Sequence, residues 1–209
     1  MRQSIAYFVS GLLLLSGCKN PQKSNEANFK AAINEYLIKH GKTCIPISRP
    51  FPFDIPIANL NETAGPVTEM AALERVGLLH STNTTAVVHG MLDALRGSRP
   101  PQAVKRYEMS SDGQKYFQQY QTAIGQSDGF CYGQKEVNSI VKWDELVKQG
   151  DSSVTSVTYT YRIENQADWA RQPDVERAFP IIKMTLDQAG TNQTAEAHLT
   201  NKGWEIAGF

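Results

Sequence analysis

Residue types that build catalytic and metal sites are scarce in this sequence. Three cysteines and four histidines are scattered through 209 residues. There is no G-x-S-x-G elbow, no H-E-x-x-H pair, no glycine-rich phosphate loop and no S-x-x-K. No charge of one sign dominates either, since 21 Lys and Arg balance 21 Asp and Glu. A neutral chain lacks the basic stripe that a nucleic-acid reader needs and has no strong pull toward anionic lipid. Repeats and low-complexity blocks are also absent. What remains, 41% hydrophobic and 20% charged residues, is a globular composition with enough apolar material for one ordinary domain or two small ones.

The N-terminus carries the clearest signal. Arg2 is a short positive start, and Ile5 to Leu15 is an apolar run ending in four leucines. As helix, at ~1.5 Å per residue, that run reaches only about half of a ~30 Å hydrocarbon core, which makes it a signal segment rather than a span. Leu15-Ser16-Gly17-Cys18 follows at once. These four residues resemble the bacterial lipobox: a branched residue, two small ones and the cysteine. The resemblance covers about twenty residues. It implies diacylglycerol on the Cys18 thiol, cleavage after Gly17 to remove residues 1–17, and an acyl chain such as palmitate on the new amine. Several acyl chains, at ~0.8 kcal/mol per buried methylene, make a lasting anchor. Lys19 stands where aspartate would retain an enteric-type lipoprotein in the inner membrane, so the implied address is the outer membrane, facing the periplasm. Residues 18–27 are polar and read as a lipidated, flexible tether.

Cys44 and Cys131 remain. Two leftover cysteines in an oxidising envelope favour a disulfide closing a loop of about 90 residues. The alternatives are free thiols or a metal site using His40, four residues before Cys44, for which no fourth ligand is evident.

From 28 to 128 the chain reads as a mainly helical part. Asn28 is placed to cap a helix to about His40, with Phe29, Ile33, Tyr36 and Leu37 on one stripe. Thr43 to Ile47 reads as a short strand. Phe51, Phe53, Ile55 and Ile57 then alternate between prolines like an edge strand facing a core. Pro66 to Leu79 reads as a helix. Leu73 to Leu79, a turn-rich gap, Arg106 to Ser110, Gly113 and Tyr116-Phe117 together resemble a winged-helix domain, over about fifty residues. The departures are an insertion from Val88 to Pro101, itself helix-like from His89 to Leu95, and the missing basic stripe. If the shape holds, it is a scaffold detached from DNA binding.

Residues 129–209 read as a β-rich part. Gly129 to Trp143, Val154 to Ile163, Ile181 to Asp187 and Thr194 to Ile206 are candidate strands, with Asn201-Lys202-Gly203 a hairpin turn. Ala167 to Phe179 reads as a helix ended by Pro180. The expected fold is therefore α+β: an N-terminal helical, winged-helix-like part and a C-terminal antiparallel sheet, cross-linked by Cys44 and Cys131.

Candidates for chemistry are isolated. His80 and His89 flank the hydroxyl-rich stretch Ser81 to Thr85, which reads more simply as a turn than as a nucleophile with its base. His198 falls in a strand. Asp144 and Glu145 are adjacent, which on a strand points them to opposite faces. Asn61-Glu62-Thr63 matches a glycosylation sequon but carries little weight in a bacterial lipoprotein. Trp143, Trp169 and Trp204, with Tyr132, Tyr159 and Tyr161, read mostly as core, and otherwise as an interface. The sequence thus predicts a lipid-anchored, non-catalytic envelope protein that binds an envelope protein or glycan, without cofactor, metal or nucleic acid. The alternatives are an envelope enzyme with a site built from scattered residues, or a nucleic-acid binder.

Overall fold

The computed structural model describes residues 20–207 apart from 48, 89–99, 123–124 and 151. Cys18, His89 and the helix-like stretch from His89 to Leu95 therefore lie outside the described residues.

Helix α1 (Glu26–His40) starts three residues earlier than the spacing suggests, because Asn25 rather than Asn28 is its cap: the Asn25 side chain accepts from the Asn28 amide at 2.9 Å. Its buried face is Phe29, Ala32, Ile33 and Leu37, the expected stripe. The chain then enters β1 (Lys42–Pro46) and β2 (Phe53–Pro56), followed by α2 (Pro66–Arg75). Pro66 takes the first turn of α2, and Gly77 ends it in the left-handed region at φ 79°. Next come β3 (Leu79–Ala86), β4 (Gln102–Met109), a short helix α3 (Ser111–Tyr116), β5 (Phe117–Thr122) and the long β6 (Gly125–Trp143). The C-terminal elements are β7 (Val147–Gln149), β8 (Ser152–Glu164), α4 (Pro173–Ala178), α5 (Pro180–Gln188), β9 (Gln193–Thr200) and β10 (Gly203–Ile206).

Two antiparallel sheets organise these elements. The larger runs β1-β6-β8-β9-β10, with β5 also on β6 and β7 on β8. The smaller runs β2-β4-β3. Along β8, alternate residues Val157, Tyr159 and Tyr161 turn to one face, where α1 covers them together with Val137, Ala195, Ala197 and Trp204. A second core lies between the larger sheet, the smaller sheet, α2, α4 and α5, centred on Ile45, Leu73, Leu78, Tyr107, Phe130, Tyr132 and Ile182.

The α+β expectation is overturned. Strands take up 45% of the described residues and helices 31%, and the fold is mainly β, a curled antiparallel sheet with few helices. The stretch 28–128, expected to be mainly helical and winged-helix-like, holds β1 to β5 and the start of β6. Its hairpin β3–β4 belongs to a three-stranded sheet with β2. Ser81 to Thr85, read as a turn, pairs residue by residue with Tyr107 to Ala103. Hydroxyl side chains suit a strand with one wet face, and the paired strand, not the local sequence, decides the conformation. Ile181 to Asp187, read as a strand, lies in α5, because Pro180 occupies the first helical turn and presets it.

Candidate functional site

Cys44 and Cys131 face each other directly in the β1–β6 register. Their sulfurs are bonded at 2.01 Å, and their α-carbons stand 3.8 Å apart, inside the ~7 Å that bridging requires. The bond joins neighbouring strands of one sheet rather than clamping a helical part to a sheet. His40 is not beside it as a ligand; its ring stacks on Tyr36 at 4.4 Å. Among the described residues no group of three or more His, Cys, Asp or Glu side chains is placed to hold a metal ion.

The remaining sequence candidates stay apart. His80 reaches Glu108 at 3.5 Å across the β3–β4 pair, and His198 lies 2.7 Å from Glu196 on β9. Asp144 and Glu145 are exposed between β6 and β7. Trp169, Trp204, Tyr132, Tyr159 and Tyr161 are buried, as read. Trp143 departs from that group, standing at the outer end of β6 with much of its surface open.

Of the polar side chains that do converge, only His40 was singled out by the sequence. Around the C-terminal end of α1 an open groove of about 430 Å³ is lined by Ile38, Lys39, His40, Lys42, Gln119, Tyr120, Gln121 and Gln126. Helix α1 supplies the first three, β1 supplies Lys42, and the β5–β6 hairpin supplies the rest. Lys42 is steered by a 2.6 Å hydrogen bond from its Nζ to the Gln118 Oε1. The helix end is pinned under the groove, because Gly41 N and Gln134 Nε2 both donate to the Leu37 carbonyl, at 2.7 and 2.5 Å. A second cleft of about 290 Å³ runs on from it between α1 and β10 and shares Lys39 and His40, with Glu35, Tyr36 and Glu205 on its walls. Chemically this is a run of amides that donate and accept at once, two ammonium groups, an imidazole and tyrosine rings, with no activated nucleophile.

Elsewhere the polar contacts brace the fold. Arg106 grips Asp54 with two 2.8 Å bonds across β2 and β4, in register. Glu74, partly buried, takes hydrogen bonds from Lys105 at 2.7 Å and from Ser81. Burial pushes its carboxyl up, but the Lys105 and Ser81 hydrogen bonds and the Lys105 charge outweigh that and leave it below the ordinary value. A cleft of about 470 Å³ beside α2 and α4 contains Arg75, Asp174 and Arg177, but both arginines are engaged with Asp174.

Comparison with protein-family models, curated proteins and solved structures finds no match to this chain. The functional argument therefore rests on the residues themselves.

Proposed function

We propose that this chain is a lipid-anchored, non-catalytic protein of the bacterial envelope, held by acyl chains on Cys18 and binding an envelope glycan in the groove at the far end of α1. The outer membrane is its address, on the reading of Lys19, with the body facing the periplasm. One observation carries the binding reading: Lys39, Lys42, Gln119, Gln121 and Gln126 converge beside Tyr120 on one open groove. Amides satisfy sugar hydroxyls in both senses, lysines answer carboxylates, and a tyrosine ring offers an apolar face with a polar tip. A glycan bearing hydroxyls and carboxylates fits that set better than a uniformly anionic polymer does. Balanced charge over the whole chain speaks against nucleic acid.

The groove also lies well away from the N-terminus. Helix α1 has 15 residues, which separates its two ends by about 22 Å. A body anchored at one end would present this groove away from its own membrane.

Co-sedimentation of the lipidated protein with purified peptidoglycan sacculi tests the reading. Wild type should pellet with sacculi, and Lys39→Ala combined with Lys42→Ala should lose at least about tenfold in affinity, as two charge-assisted contacts would require. Absence of pelleting, or undiminished binding by the double variant, contradicts it. A protein occupant is the second reading, favoured by the exposed Ile38 on the groove wall.

A further inference from the structure

Four of the exposed large apolar side chains cluster at one end of the body, the end where the first described residues, from Asn20, are fastened. Val141, Trp143, Leu146 and Val147 are 50%, 39%, 44% and 61% exposed. They surround the end of β6 and the start of β7, with Lys142 among them and Lys148 directly after Val147. The register places them at one margin of the large sheet: Trp143 pairs with Val157, Val147 with Val154, Ser153 with Leu199, and Thr200 with Gly203.

The N-terminal residues fold onto that same margin. Gln22 Nε2 donates to the Thr200 carbonyl at 3.2 Å, and Trp204 Nε1 donates to the Lys23 carbonyl at 3.2 Å. Asn28 Nδ2 donates to the carbonyls of Asn20 and Lys23, both at 2.8 Å. Phe29 touches Trp204 and Trp143 at once, with ring centroids 4.8 and 5.3 Å away. Residues 20–25, read as slack spacer, are thus fastened to the body. Only Lys19 separates Cys18 from Asn20, and two peptide units reach at most about 7 Å.

We propose that Val141, Trp143, Leu146 and Val147 form a lip that rests in the headgroup layer of the membrane holding the Cys18 lipid. The proposal depends on the lipid-anchor reading. With so little chain between the acyl groups and the first fastened residue, the body cannot stand off from the bilayer, and this margin is the part of it brought to the surface. Tryptophan settles at that depth because its ring is apolar and its N–H is polar, and neighbouring leucine and valine add apolar area. The lip's two lysines are matched by Asp144 and Glu145 in the same loop, so apolar contact and not anionic lipid holds it. The lip orients the body and turns the glycan groove outward.

The test uses the full lipidated protein in phosphatidylethanolamine–phosphatidylglycerol vesicles, with and without bromine on the acyl chains near the headgroups. Flotation is measured first, then quenching of tryptophan fluorescence. Wild type should float and lose on the order of a third of its emission, the share of one tryptophan in three. Trp143→Phe should float equally and lose little. Quenching in wild type should persist in about 0.5 M salt, where charge attraction is screened. Protein that floats with unquenched emission, or with equal quenching in Trp143→Phe, overturns the lip and leaves the anchor standing. Protein that fails to float overturns the anchor, and the lip with it.

Discussion

Trp204 Nε1 donates a hydrogen bond to the carbonyl oxygen of Lys23, 181 positions earlier in the chain, at 3.2 Å. The residues around Lys23 are thereby tied to the last strand and become part of the folded body. Trp204→Phe keeps a ring against Phe29 but removes the donor. The expected cost is about 1 kcal/mol, with hydrogen exchange across 20–28 several-fold faster and the exchange of β6 and β8 unchanged. Equal exchange in the two proteins would show that the tie does no holding.

The Cys44–Cys131 bond closes a loop of 87 positions that contains the whole of the smaller sheet. Cys44→Ser and Cys131→Ser should each lower stability to denaturant by ~2–4 kcal/mol, and the double variant should be little worse than either. Thiol titration of the unfolded, unreduced chain decides whether the bond forms: neither Cys44 nor Cys131 should react, and reaction of both would refute it.

Stability should fall at alkaline pH through the tyrosines of the α1 core. Burial, then the neighbouring Tyr161 and Tyr36, push the Tyr159 phenol from 10.0 up to about 12. A raised phenol favours the neutral form in the fold. Its contribution is complete below about pH 10 and disappears as pH rises through about 12. That difference corresponds to at most ~3 kcal/mol. Burial raises Tyr132 and Tyr161 in the same direction. Lys135, lowered by burial, acts oppositely, because its penalty at lower pH is relieved as pH climbs toward 10.5. Urea midpoints measured between about pH 9 and 11.5 should drop less in Tyr159→Phe than in wild type. Parallel curves would contradict this.

Gly113 sits where a Cβ would lie 2.0 Å from the Leu78 carbonyl oxygen. Ser110 locks the same joint, donating from Oγ to the Gly77 carbonyl at 2.6 Å and accepting from the Gly113 amide at 2.9 Å. Gly113→Ala should therefore destabilise the protein by ~1–3 kcal/mol. A thermal scan showing an unchanged midpoint would mean that α3 can move away from α2 freely.

Those contacts also show what was legible in the sequence. The phrase from Leu73 through Gly77 to Leu78, followed by Ser110 and Gly113, resembled a winged helix; what it marks instead is a joint, with Gly77 left-handed at φ 79° and Gly113 close against the Leu78 carbonyl. Val154 to Ile163 and Gly129 to Trp143, read as strands, lie in β8 and make up most of β6, and Asn201-Lys202-Gly203 revealed the β9–β10 hairpin. The smaller sheet was hidden because β3, with Ser81, Thr82, Asn83, Thr84 and Thr85, has only its pairing with β4 to make it a strand. The groove was hidden for a different reason. Lys39 and Gln121 are about eighty positions apart in sequence and meet only because β1 and β5 both pair with β6. Trp143 resembled the other tryptophans in sequence, and only its place at the end of β6 leaves it open to solvent.

The proposed lipid on Cys18 is the premise on which both the membrane lip and the outward groove depend. Mass spectrometry of the N-terminal peptide from membrane-extracted protein tests it most directly. The predicted result is a chain beginning at Cys18 and carrying a diacylglyceryl group on the thiol and an acyl chain on the amine. A chain that begins elsewhere, or an unmodified Cys18 thiol, would contradict it.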